Sequence, residues 1–131
     1  MNKIDIFKGT LGSILSFVLY FLGGWDVALQ TLIAFIVIDY ITGICKAFYE
    51  GKLNSKIGVK GIVKKVGYLL IVAVSFLVDT IINANGIVRA TVIYIFVANE
   101  GISILENWGG MGLPIPPVLI EKLEQLKKEE K

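Results

Sequence analysis

The chain has 131 residues, 55% of them hydrophobic, with a mean hydropathy of +0.73; a soluble domain is nearer about 45 to 50% apolar, so this composition is that of a membrane protein. Thirteen Lys and Arg against eleven Asp and Glu leave a formal net charge of only +2, which gives nucleic-acid binding no electrostatic basis. With no histidine and one cysteine, Cys45, the usual zinc clusters, intrachain disulfides and His-assisted nucleophiles fall away, so no enzyme, no catalytic residue, no metal and no cofactor is expected.

The first apolar block covers residues 9–24 and follows a charged start, MNKIDIFK. No small-x-small cleavage site follows it, so it reads as a retained membrane span. Gly9, Gly12, Ser13 and Ser16 interleave two small-xxx-small patterns that permit close helix contact. The turn GGWD then leads into the second block, 27–45. Crossing ~30 Å of hydrocarbon takes about 20 helical residues, which the second, third (66–84) and fourth (87–105) blocks satisfy and the first slightly misses. The connectors GGWD and NANG suit tight turns between antiparallel helices. The expected fold is all-α, four transmembrane helices arranged as two hairpins, with continuous apolar runs that no β-barrel uses.

Between the second and third blocks lies a basic belt, residues 46–65, expected as a cytoplasmic loop, with Lys46, Lys52, Lys56, Lys60, Lys64 and Lys65 against Glu50. Such a belt anchors topology on the cytoplasmic side and attracts anionic lipid headgroups at about 1 kcal/mol per charge. Four crossings then put both termini in the cytoplasm. Lys52, Lys56, Lys60 and Lys64 would share one helical stripe, capped by Asn54 or Ser55. After the fourth span, WGGMGLPIPP breaks the helix, and Pro117 opens a short amphipathic one with Leu119, Ile120, Leu123 and Leu126 at helical spacing. The domain division is 1–107, transmembrane, and 108–131, a cytoplasmic Pro-containing linker and tail.

Residues 9–45 hold only Asp26 and Asp39 as charges, and residues 66–105 only Asp79, Arg89 and Glu100. Ionised groups at mid-bilayer cost about 2.5 to 3.5 kcal/mol, so they face the bundle, a partner or water. Thr31, Asp39, Thr42 and Lys46 share a face of the second span; Lys64, Tyr68, Ser75, Asp79 and Asn83 share one on the third; Arg89, Phe96, Glu100, Ser103 and Asn107 form a looser stripe on the fourth. Asp39, Thr42, Lys46, Asp79, Arg89 and Glu100 are the intramembrane assembly candidates. Asp79 and Arg89 flank the NANG turn almost equally and are expected to pair. Asp39 and Glu100 fall at similar depth, and three outcomes stay open for them: shared protonation, contact with Lys46, Lys64 or Lys65, or a wet lumen. Cys45 reads as a small buried residue.

The order DxxTGICKA, GKLNSKxGxxGIxKK, and then an apolar span closing on Asp79 resembles the bacteriophage holin family that includes the clostridial toxin-secretion holins. The resemblance covers residues of about 35 to 105 and is carried by Asp39, Thr42, Gly43, Lys46, Ser55, Gly61 and Lys65. It implies homo-oligomers in the bacterial cytoplasmic membrane, forming lesions that release an endolysin or a toxin and end in host lysis, without required direct binding to that cargo. The rival readings are a small four-helix proton-coupled exporter built around Glu100, and an antiholin or membrane adaptor.

Overall fold

A computed structural model describes residues 2–129. Five helices follow in order: α1 Lys3–Phe21, α2 Val27–Tyr49, α3 Ser55–Ile82, α4 Ile87–Gly110 and α5 Pro117–Glu129. The described residues form no strand, and α1 to α4 are each long and apolar enough to cross a membrane. The chain is thus an all-helical multi-pass membrane protein of the expected class.

Local signals set the helix starts. Asn2 accepts a hydrogen bond from the Asp5 N–H, Asp26 from that of Leu29, and Asn54 from that of Lys56, so α1, α2 and α3 each begin on a side-chain cap. α4 starts differently. Its cap position is Gly86, with no side chain, and the missing acceptor comes from across the turn: Asp79 of α3 takes the N–H groups of Val88 at 3.0 Å and Arg89 at 2.7 Å. Asn83 and Asn85 both adopt left-handed backbone in that turn, which Asn tolerates better than most residues. The basic belt is mostly helical. α2 runs on to Tyr49, α3 starts at Ser55, and only residues 50–54 connect them, so the expected loop shrinks to a short turn and Lys52 lies off the helix that carries Lys56, Lys60 and Lys64.

α4 is the hub, packed against α2, α3 and α5, whereas α2 and α3 touch each other little. Between the two ends of the bundle, Leu29 and Leu32 of α2, Val72 of α3, and Ile93 and Val97 of α4 form an apolar layer. At full burial each such side chain contributes about 1.5–3 kcal/mol relative to exposure in water, but against lipid the gain is packing rather than hydrophobic transfer. The outward faces stay apolar and exposed, as a lipid-facing surface requires. Cys45 is on that exposed surface, contrary to expectation. Its apolar neighbours in sequence reflect lipid rather than core.

α1 has no buried residue and meets the rest only near its end, where Leu19, Leu22 and the edge-to-face pair Tyr20–Phe76 contact the core. α5 folds back along α4: Leu123 lies over Gly101, and Leu126 reaches a groove beside Ala28 and Val97. A Cβ on Gly101 would stand 2.7 Å from Leu123 Cδ2 and 3.2 Å from Phe35, so only glycine lets α5 and α2 both close on α4 there.

Candidate functional site

Among the described residues, five polar or charged ones are buried: Asp39, Ser75, Asp79, Arg89 and Glu100. They lie on the inward stripes, and no buried side-chain nitrogen or oxygen among the described residues lacks a hydrogen-bond partner. The ionised ones gather into two clusters, one on each side of the apolar layer.

The first cluster lies near the turn between α1 and α2. Arg89 donates from Nη1 to Asp26 Oδ2 at 2.7 Å and from Nη2 to Asp26 Oδ1 at 3.1 Å, and from Nε to the Leu22 carbonyl at 2.6 Å and Nη2 to that of Gly24 at 3.1 Å. A two-point guanidinium–carboxylate contact fixes orientation as well as charge. Arg89 also holds the Asp26 carboxyl below its usual value, outside the spans, chiefly through these hydrogen bonds. Gly23 has φ +90, and a side chain there would collide with the guanidinium, so this position needs glycine twice over. The expected Asp79–Arg89 ion pair is not what forms. Asp79 is occupied with the start of α4, where its charge also meets the positive end of the helix dipole, and Arg89 turns to Asp26.

The second cluster lies toward the belt. Lys65 donates to Asp39 Oδ2 at 2.7 Å and to both Glu100 carboxylate oxygens, so one ammonium links α2, α3 and α4. Of the outcomes left open for Asp39 and Glu100, the structure takes contact with Lys65. Asn107 donates to Asp39 Oδ1 at 3.0 Å and Thr42 Oγ1 at 3.0 Å, and Thr42 in turn donates back to the carbonyls of Ile38 and Asp39. The Lys65 ammonium is 5.4 Å from the Tyr68 ring, which stacks on Phe96 at 4.4 Å. The side chain of Glu100 is only 2% exposed, so this charge depends wholly on Lys65.

Among the belt candidates, Lys52, Lys56, Lys60 and Lys64 are exposed, whereas Lys65 is half-buried and turns in. Placing Lys64 on the inward stripe was one residue out of phase; Lys65, Val72, Ser75 and Asp79 are the residues that recur on the buried side of α3. Lys46 joins neither cluster among the described contacts and lies along Gly110 at the end of α4. Asp26 was missed because it reads as a turn residue. Its signal was position: Asp26 and Arg89 stand beside the two turns at the same end of the bundle. Among the described residues no group of His, Cys, Asp and Glu could hold a metal.

Comparison with known proteins points one way. Residues 16–128 match the bacteriophage holin family. An uncharacterised 14.9 kDa protein of Clostridium perfringens is 37% identical over 130 residues, covering 98% of both chains. An uncharacterised Listeria monocytogenes protein is 44% identical over 100 residues, 76% of this chain and 71% of its own. A protein described as a probable holin, from Bacillus phage phi105, is 34% identical over 101 residues, 77% of this chain and 75% of that one. No solved structure matches.

Proposed function

The chain belongs to the bacteriophage holin family, a family of membrane proteins rather than enzymes, and from that membership we propose that it self-associates in the bacterial cytoplasmic membrane and opens lesions through which an endolysin or a secreted toxin escapes, ending in host lysis. The N-terminus and the basic belt face the cytoplasm in this reading, and the belt contacts anionic headgroups. The observation that carries it is the division of α2, α3 and α4 into a lipid-compatible face and a polar face whose partners lie on other helices. Such faces can exchange partners within one chain for partners on a second copy. No chemistry is required of the residues in this reading.

The exporter reading loses support at Glu100. A carboxylate that alternates between proton and substrate needs access and a free oxygen, and both Glu100 oxygens accept from Lys65. The test is expression of the chain beside a cytoplasmic endolysin, with membrane potential and culture turbidity followed together. Abrupt depolarisation and lysis at a fixed time is the expected result. Selective drug resistance without lysis would identify an exporter, and membrane insertion with neither effect an antiholin or adaptor.

A further inference from the structure

At the belt end, α2 and α3 splay apart and leave a cavity of about 850 Å³, within the range of ligand pockets. Its walls are apolar: Ile44 and Ala47 on α2, Leu53 in the turn, Val59 and Ile62 on α3. Glycines open it. Gly61 has nothing within 4 Å of where its Cβ would stand, and Gly58 is limited only by the Tyr40 hydroxyl at 3.3 Å. Two glycines in the first turns of a helix weaken it relative to Ala, and here they leave the space that opens the cavity.

Charge is distributed unevenly along this cavity. At its deep end, Lys65 faces two carboxylates, Asp39 and Glu100, so that end offers an anion no unmatched cation. Toward the surface stand Lys52 and Lys64, neither in an ion pair among the described residues, and the start of α3 at Asn54 and Ser55, where the helix dipole favours negative charge. The long stem of Lys64 lets its ammonium rise to the headgroup level. Five residues of the motif quoted above, Asp39, Gly43, Ser55, Gly61 and Lys65, line this one space.

We infer that the cleft between α2 and α3 binds one anionic phospholipid, its phosphate at Lys52, Lys64 and the start of α3, and an acyl chain along the apolar walls. The site deepens the headgroup contact proposed above and rests on the belt lying at the membrane surface. An apolar slot with a cationic mouth, opening where spans meet the headgroup region, matches an amphiphile with one anionic end. A free phosphate would leave the walls unfilled, and a zwitterionic lipid would leave the two ammoniums uncompensated.

The test uses the full chain purified in mild detergent, exposed to mixed micelles of phosphatidylglycerol, phosphatidylcholine or glycerol 3-phosphate alone, with bound lipid counted by native mass spectrometry. Roughly one phosphatidylglycerol per chain is expected, with at least tenfold less phosphatidylcholine retained. Gly61→Leu should fill the slot and remove the bound lipid at unchanged helicity. Lys52→Gln with Lys64→Gln should instead keep lipid binding and erase the preference for phosphatidylglycerol, so the inference stays testable if the first variant does not fold. Equal retention of both lipids by the wild type, retention by Gly61→Leu, or full displacement by glycerol 3-phosphate would overturn it. The readout is bound lipid, so failure here leaves the lysis reading standing, and a failed lysis assay leaves this site standing.

Discussion

Arg89 and Asp26, 63 residues apart, close on each other through two hydrogen bonds of 2.7 and 3.1 Å, and this contact ties the turn between α1 and α2 to the first turn of α4. Arg89 is buried while the Asp26 side chain is 50% exposed, so the two partners are not equivalent. Arg89→Leu strands two carbonyls and a carboxylate and is expected to cost about 3–5 kcal/mol. Asp26→Asn keeps the α2 cap and should cost much less. The double variant should fall short of the sum. Unfolding titrations in mixed detergent micelles measure all three, and additivity would show that the contact is idle.

The same pair predicts an acid limit. The folded-state pKa of Asp26 is depressed below its ordinary 3.8, so its contribution is complete above that value and is lost as pH falls through the lower, folded-state pKa. Micellar stability of the wild type should therefore decline below about pH 4. Asp26→Asn should show a shallower decline over that window. Parallel curves for the two proteins would remove Asp26 from the explanation.

At the other cluster the cation is the critical member. Lys65→Met leaves Asp39 and Glu100 facing one another and is expected to destabilise by about 3–5 kcal/mol, because an unpaired buried charge is worse than no charge. Adding Asp39→Asn and Glu100→Gln to Lys65→Met should recover most of that loss. Failure of the triple variant to recover, by the same titration, would mean that shape rather than charge holds the three helices.

Asp39→Leu separates stability from assembly. It removes one acceptor from Lys65 but leaves Glu100 to pair with it, so membrane insertion should persist. Lysis in an induced culture should come at a different time or not at all. Unchanged timing at equal expression would take Asp39 out of assembly.

Gly101→Val should push α5 off α4, since the added carbons meet Leu123 and Phe35; overpacking of this kind costs about 1–3 kcal/mol. Limited proteolysis in the tail should speed up several-fold. A tail equally resistant in the variant would mean that α5 is held elsewhere.

Much of the architecture was readable from apolar run length and turn chemistry: four spans, the NANG and GGWD turns, a proline-started tail helix. Partner choice was not. Lys64 and Lys65 are neighbours in a lysine-rich segment whose glycines blur helical phase, and only packing against α2 and α4 decides which ammonium turns in. Asp79 was assigned to Arg89 by equal distance from the turn, yet the open backbone donors at the start of α4 claimed its carboxylate first. Cys45 was misjudged because, in a membrane protein, an apolar sequence neighbourhood no longer means interior. The return of α5 along α4 is set by close approaches such as Leu123 over Gly101, a match that periodicity cannot register.

The apolar layer of Leu29, Leu32, Val72, Ile93 and Val97 lies between the two ion clusters. A hydrated ion moving between them through one chain would have to shed its shell against five hydrocarbon side chains. One folded copy therefore behaves as an insulator. In the proposed lesion, conduction has to run alongside chains rather than through them, so leakage before assembly should be as low as that of unmodified bilayer.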